Sequence, residues 1–434
     1  MTKKEQGKQF FTVSRLFFLL IVIPLVLMAF FIANSILQLG ETSKIGTISA
    51  LDEKFQQSLE TRSVSIANSV ADFLKQVEKD ALVATILPTT AETYKEFVQT
   101  NRQALWVKRD GSVVRALVPL YREMALIDRS GKELIKIVDG SVVPEAQLVN
   151  VSDPANTTYK SENYFAKAQT LQKADVYMST LTGWYVDRDS FEKGRRFDGI
   201  IRIATPVFDQ QGFSGLITLA LDSRHLTKFT DNVIPTETGS VLEADATTGN
   251  YAYMVDHRDF MIAHPVDSHI VGLYPDGTPV PPLTKETADE MSGRGEEILN
   301  INLMGFIDPE LPLVASDAAA GNAGTRVYTF AGHQKIVSYA PIGYYSQFFP
   351  EPGGFGWVAL SVNVDKFNEQ ALAAAAKIDE ESRAWMTTII LIIVISVVLL
   401  FLISSILARG ITRSIESEIP EESLNPPDYD DDDD

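Results

Sequence analysis

The chain has 434 residues and a formal net charge of −19 at pH 7, and it contains no cysteine. The absence of cysteine excludes disulfide bridges and thiolate metal sites, so each folded domain must be stabilised by its own core. The excess of acidic residues argues against binding to nucleic acid or to anionic lipid. A chain of this length has room for two modest domains and additional segments.

Two uncharged apolar stretches near the ends of the chain predict membrane-spanning helices. Residues 16–38 are LFFLLIVIPLVLMAFFIANSILQ, and residues 386–408 are MTTIILIIVISVVLLFLISSILA. A helix of this length rises about 34 Å and can cross a hydrocarbon core of ~30 Å. The alternatives are a buried core helix or, for the first stretch, a cleaved signal peptide. The lack of any charge over such a length favours two spans.

The distribution of basic residues predicts the orientation. Lys3, Lys4, Lys8 and Arg15 precede the first span, and further arginines follow the second. The positive-inside rule therefore places residues 1–15 and 409–434 in the cytoplasm, with the region between the spans on the outer side of the membrane. The acidic run at residues 428–434 resembles an affinity tag and is excluded from functional reasoning.

The first segment after the membrane, residues 39–84, predicts one long amphipathic helix. Apolar residues recur at intervals of three and four, and neither proline nor glycine interrupts the pattern between Gly46 and Pro88. A helix this long suits a stalk that packs along a domain and against a second copy of the chain, which predicts a homodimer. The alternative is a supporting helix without a dimer role.

Residues 85–235 predict a first sheet module. Extended runs flank the turns DRSGKE and DQQG, as in ATPVFDQQGFSGLITLALD at residues 204–222, and both patterns are typical of β-hairpins. A short helix beginning SRHL follows. Residues 236–367 repeat this layout loosely, and residues 368–385 predict a connecting helix into the second span. The expected fold class is α+β, with antiparallel sheets and helices on one side.

Several stretches resemble the double Cache sensor domain, a PAS-like extracytoplasmic fold of bacterial chemoreceptors and transmembrane sensor kinases. They are MALIDRSGKELIKI, ENYFAKAQTLQKADVYMSTLTGWY, GIIRIATPVFDQQGFSGLITLALDSRHL and MVDHRDFMIAHPVDSHIVGLYPDGTPVPPL. The resemblance covers the chain between the two spans. It implies tandem PAS-like antiparallel-sheet modules on a long N-terminal helix, with a small-ligand pocket in the module of residues 85–235, distal to the membrane. It also implies that the two spans lie in a bacterial inner membrane, with the modules outside the cytoplasm.

The resemblance also indicates candidate ligand-binding residues. In members that bind amino acids, an Arg-x-Trp-Tyr group is followed by a tyrosine and an aspartate. Here Glu162 replaces that arginine, so a guanidinium that could grip a carboxylate is missing at this position. An ammonium group could bind the aspartate, and Arg202 or the Arg195–Arg196 pair could contact an anion, unless that pair is simply solvated. The ligand-binding candidates are Tyr164, Tyr177, Trp184, Tyr185, Arg202 and Asp222.

Two of these assignments have structural alternatives. Trp184 and Tyr185, in TLTGWYV, are aromatic residues with a polar edge, which suits a ligand pocket and a domain core equally well. Asp222 precedes the helix that begins SRHL and could instead bond to its first turn.

The remaining motifs predict neither metal binding nor catalysis. His257, His264 and His269 lie among aspartates, but their spacing matches no metal motif, and a hairpin would divide them between two faces. The sequence contains no HExxH, G-x-S-x-G or P-loop pattern and no cysteine nucleophile. We therefore expect a protein that is not an enzyme and that uses no cofactor.

Two functions remain open from the sequence. The first is a membrane-anchored sensor, for chemotaxis or other signal transduction, that binds an organic acid, an amine or an amino acid and signals through its spans. The second is a Cache-domain scaffold or accessory subunit of a membrane assembly. RGITRSI after the second span resembles the start of a HAMP helix, but no output domain follows. The expectation is a truncated receptor or a chain that acts through a separate protein.

Overall fold

The computed structural model describes residues 3–109 and 111–418. The chain forms two compact units, one from residues up to 52 together with those from 369 onward, and the other from residues 53–368. The end of the predicted cytoplasmic tail, including its acidic run, lies outside the described residues.

The terminal unit contains parts of two long helices, α1 (Lys3–Ala84) and α8 (Val364–Glu418). Each includes a stretch long and apolar enough to cross a membrane, with mean hydropathies of 2.6 and 3.3. Large apolar side chains such as Phe30 and Leu399 are exposed on these stretches. Within this unit the rings of Phe18 and Phe401 pack edge to face, and Lys44 pairs with Asp379 at 2.9 Å.

The larger unit contains two antiparallel sheets and a separate hairpin. Its first part comprises α2 (Ala91–Thr100), β1 (Arg102–Arg109), β2 (Ser112–Pro119), β3 (Tyr121–Asp128), β4 (Glu133–Val138), β5 (Ser141–Val142), α3 (Tyr164–Ala168), β6 (Tyr177–Met178), β7 (Thr182–Gly183), α4 (Arg188–Glu192), β8 (Gly199–Asp209), β9 (Gly212–Asp222) and α5 (Arg224–Asp231). Its second part comprises β10 (Tyr251–Asp256), β11 (Met261–Ala263), α6 (Ala288–Gly293), α7 (Glu310–Ala319), β12 (Gly324–Phe330), β13 (His333–Ile342) and β14 (Gly356–Asn363).

The two sheets share one connectivity. The first has the order β5-β4-β3-β9-β8-β6, with β7 also paired to β8, and the second has the order β11-β10-β14-β13-β12. The hairpin β8–β9 joins the first sheet through β9, which pairs with β3, and β13–β14 joins the second through β14, which pairs with β10. All of these pairings are antiparallel. The predicted fold class, α+β with tandem antiparallel-sheet modules on a long N-terminal helix, is confirmed.

Equivalent glycines support this internal repeat. Gly215 in β9 is paired with Asp128, and Gly356 in β14 is paired with Asp256. Their φ angles are +156° and +146°, and an added Cβ would lie 2.0 Å and 2.1 Å from a carbonyl oxygen of the neighbouring strand. Only glycine tolerates so close a backbone approach, so both modules require it at this position.

One face of each sheet packs against α1. Residues of α1 between Ala67 and Ala84 share a core with Ile201 and Ile203 of β8, whereas Leu59 packs against the second sheet. Because side chains alternate along a strand, Arg202 and Ala204 of β8 project from the opposite face of the first sheet. That face is covered by α3 and the loops around it.

The hairpin β1–β2 was not foreseen from the sequence. In the sequence, residues 112–119 continue into the extended run that precedes the DRSGKE turn, but in the structure they pair with residues 102–109. Leu120 ends this pairing, and its N–H bonds to the carbonyl of Asn101 at the base of the hairpin. The run is therefore divided between two separate hairpins.

Candidate functional site

The buried face of the first sheet, on the side away from α1, carries a cluster of charged residues. Arg202 of β8 is at its centre and only 2% exposed. Its guanidinium donates to both carboxylate oxygens of Glu162, at 2.8 and 3.2 Å, and to Glu123 of β3 at 2.8 Å. The contact with Glu162 is bidentate, the strongest geometry available to an arginine and a carboxylate.

A second cation and a third carboxylate extend this cluster to β4. The Lys136 ammonium lies 2.8 Å from Glu133 and 4.0 Å from Glu123. Thr158 donates to the other oxygen of Glu123 at 2.8 Å. With Arg202 and Glu162, the cluster has two cations and three carboxylates, so it carries one excess negative charge when all five groups are ionised.

Opposite charges keep Glu123 and Arg202 ionised despite their burial. Burial alone would raise the pKa of Glu123, but Arg202 and Lys136 lower it to about 2. Burial alone would lower the pKa of Arg202, and Glu162 and Glu123 raise it well above its ordinary value. Buried ion networks contribute little net stability compared with apolar packing, so their presence suggests a role other than stabilisation.

Two of the predicted tyrosines lie in the same region as Arg202. The Arg202 guanidinium lies over the Tyr164 ring, 5.0 Å from its centroid. Tyr177 packs into the same group of buried side chains and meets Phe348 of the second module edge to face at 4.9 Å. Burial raises the pKa of both tyrosines, to about 12 for Tyr177, so both phenols stay protonated and can donate hydrogen bonds.

The other predicted aromatic residues lie elsewhere. Trp184 is half-buried and packs on Tyr159, with 5.2 Å between ring centroids. Tyr185 is buried at the junction of the two modules, where its hydroxyl donates to the carbonyls of Ser268 and Gly295 and accepts from the N–H of Glu297. The structure therefore does not group these two residues with Arg202.

Asp222 is at the end of β9, away from the Arg202 cluster. Its carboxylate accepts hydrogen bonds from the backbone N–H of Arg224 at 3.0 Å and from the Arg224 guanidinium at 2.6 Å. These are the bonds expected of a residue that holds the start of the following helix. The carboxylate is also on the wall of a cleft of about 470 Å³ that Arg122 and Asp198 line.

Glu123 and Lys136 are not among the binding residues predicted from the sequence, and Glu162 is noted there only as a departure from a motif. A signal was present, because Glu123 and Lys136 are charged residues next to apolar runs in the strands YREMALID and ELIKIV. Glu162 does not leave the site without a guanidinium, because Arg202 supplies one from β8 and bonds to it.

Comparison with known proteins gives structural neighbours only. No protein-family model matches the chain, and no curated protein is significantly similar to it in sequence. The extracellular domain of the histidine kinase vpHK1S-Z8 aligns over 75% of this chain and 96% of its own length, with 14% identity and a TM-score of 0.43. A domain of a sensory box/GGDEF family protein from Vibrio parahaemolyticus aligns over 73% and 99%, with 13% identity and a TM-score of 0.44.

A third neighbour is the ligand-binding domain of the Pseudomonas fluorescens chemoreceptor CtaA in complex with L-leucine. It aligns over 74% of this chain and 97% of its own length, with 15% identity and a TM-score of 0.37. All three neighbours are domains of sensory or signalling proteins, and each aligns over at least 96% of its own length.

Proposed function

We propose that this chain is a membrane-anchored extracytoplasmic sensor that binds a small solute in its first sheet module. The observation that carries the proposal is the buried ion cluster of Arg202, Glu162 and Glu123 on the sheet face opposite α1. A fold that needed only a stable core would be served as well by apolar residues at these positions. A sheet face that carries charged side chains and is covered by loops is suited to binding a polar ligand.

The charge of the cluster favours a ligand with an ammonium group. Its three carboxylates outnumber its two cations, so an ammonium ion would neutralise the site. The hydroxyl oxygens of Tyr164 and Tyr177 can accept hydrogen bonds from such a group, and the ring of Tyr177 offers a cation–π contact, whereas the Tyr164 ring already contacts Arg202. Among the solutes expected from the sequence, amines and amino acids therefore fit better than organic acids.

Signal transmission would use the continuity of the chain between the sheets and the apolar helices. Helix α1 runs without a break from Lys3 to Ala84, and α8 begins directly after the last strand of the second sheet. A solute that favours one arrangement of the Arg202 cluster would shift the population of helix positions, by a small piston or rotation. We propose that both apolar stretches span the membrane and that the chain forms a homodimer along α1.

A thermal-shift screen of the full chain in detergent micelles tests this proposal. The library contains amines, amino acids and organic acids. A ligand at a hundred times its dissociation constant stabilises the folded state by about 2.7 kcal/mol. We expect a saturable rise in Tm with solutes that carry an ammonium group. That rise should be lost in Glu162→Gln and kept in the control Glu192→Gln, whose side chain is exposed.

The alternative function is a scaffold or accessory subunit in a membrane assembly. It is favoured by the hydrogen bonding inside the cluster, since Arg202 already binds two carboxylates. A flat response across the library from a folded protein would support this alternative and contradict the sensor proposal.

A further inference from the structure

A cleft of about 500 Å³ lies at the junction of the two sheet modules, separate from the Arg202 cluster. Trp184, Tyr185 and Arg195 line it from the first module. Tyr274 and Arg294 belong to its other wall, which comes from the second module. A volume of this size is typical of small-molecule sites, which occur often at domain interfaces.

Backbone contacts fix the two walls against each other. The N–H of Tyr185 donates to the carbonyl of Leu273 at 2.9 Å, and the N–H of Leu273 donates to the carbonyl of Gly183 at 2.9 Å. The α-carbon of Gly272 lies so close to Tyr185 that an added Cβ would be 2.7 Å from the Tyr185 α-carbon. The aromatic floor of the cleft is therefore pre-formed, which lowers the entropic cost of binding.

The carboxylates of the cleft already have partners. Asp187 accepts from the backbone N–H and the hydroxyl of Ser190, at 2.9 and 2.7 Å. Glu296 pairs with Arg294 at 3.0 Å. By contrast, no carboxylate among the described residues lies within 4 Å of the Arg195 guanidinium. The formal charges of the lining balance, because Arg195 and Arg294 face Asp187 and Glu296, and Arg195 interacts with Asp187 through its charge. The N–H donors of the Arg195 guanidinium are therefore available to a ligand, whereas those of Arg294 are shared with Glu296.

We propose that this cleft binds a small aromatic carboxylate. The ring would pack against the aromatic surfaces of Trp184 and Tyr274, and the carboxylate would accept hydrogen bonds from the Arg195 guanidinium. Because each wall belongs to a different module, the ligand would stabilise the contact between the modules. The proposal does not depend on the function proposed above, since the Arg202 cluster and the cleft share no residue.

The test is calorimetric titration of the full chain, in detergent micelles, with benzoate as the probe. Acetate lacks the ring and benzyl alcohol lacks the charge, so both are matched control ligands. We expect saturable benzoate binding and at least tenfold weaker binding of each control. Arg195→Ala should weaken benzoate binding by about tenfold, the effect of one lost charge-assisted hydrogen bond.

Arg196→Ala is the matched control variant, because Arg196 is the next residue but stacks on Phe191 and pairs with Glu243. It should bind benzoate as the unmodified chain does. Arg195 is exposed, so its removal does not endanger folding. Equal benzoate affinity in Arg195→Ala and Arg196→Ala, or no saturable binding at millimolar benzoate, would overturn the proposal. Unchanged benzoate binding in Glu162→Gln would separate this site from the Arg202 cluster.

Discussion

Replacement of Arg202 by methionine is the sharpest test of the buried cluster. Methionine keeps much of the side-chain volume and removes the charge. It leaves Glu123 and Glu162 buried, at 7% and 8% exposure, without the guanidinium that binds both. Removal of one partner from a buried ion pair costs about 3–5 kcal/mol, because an uncompensated charge remains in the interior.

The depressed pKa of Glu123 gives a second figure of similar size. Its pKa in the folded protein is about 2, against an ordinary value of 4.5. At 1.36 kcal/mol per pKa unit, this difference corresponds to about 3 kcal/mol of preference for the ionised form in the folded state. Most of that preference is due to Arg202 and Lys136. The cost of an unpaired buried charge and the pKa of Glu123 therefore both predict that Arg202→Met lowers the free energy of unfolding by several kcal/mol at neutral pH.

The assay is denaturant unfolding of the full chain in detergent, followed by tryptophan fluorescence. We expect the free energy of unfolding of Arg202→Met to be lower by about 3–5 kcal/mol at pH 7. The deficit should shrink towards pH 4, where the stranded carboxylates can take up protons. The triple variant with Glu123→Gln and Glu162→Gln should recover much of the loss, because no charge is then left unpaired.

The control is Arg129→Met. Arg129 pairs with Asp209 at 3.6 Å, and both side chains are about half exposed. A surface pair of this kind contributes about 0–1 kcal/mol. Two results would contradict this reasoning: Arg202→Met destabilises the protein no more than Arg129→Met, or it destabilises the protein equally at pH 4 and pH 7. Either result would mean that Arg202 does not compensate the buried charges of Glu123 and Glu162.

Three further outcomes are expected from the sequence and structure. Because the pKa of Glu123 is depressed in the folded protein, its contribution to stability is complete above pH 4.5 and is lost as the pH falls towards 2. Acid unfolding of the unmodified chain and of Glu123→Gln would measure this loss. Gly215→Ala should cost about 1–3 kcal/mol in unfolding experiments and more than Gly212→Ala, which also has a positive φ but has open space at its Cβ. The chain has no native cysteine, so a single introduced cysteine reports on which side of the membrane it lies. In whole cells an impermeant maleimide should label Ser130→Cys, and it should label Ser414→Cys only after the cells are permeabilised. The reverse labelling pattern would contradict the proposed orientation.

The sequence alone determined the features that depend on local patterns. Uncharged apolar stretches mark the two candidate membrane helices, and turn residues between extended runs mark the hairpin β8–β9. The repeated layout of a hairpin followed by a helix indicated two related modules, which share one strand order in the structure. These features depend on residues close together in the chain, so their signals are strong without tertiary information.

Only the tertiary structure decided which polar residues meet. Arg202 bonds to Glu162, which is 40 positions away in the sequence, and to Glu123, which is 79 positions away. Trp184 is nearer to Arg202 in sequence than either glutamate, yet it lines a cleft that does not include Arg202. Sheet pairing and the path of the covering loops set these distances, and neither follows from periodicity. Local sequence patterns therefore predicted the two sheet modules, whereas the residues that form the charged cluster are set by long-range packing.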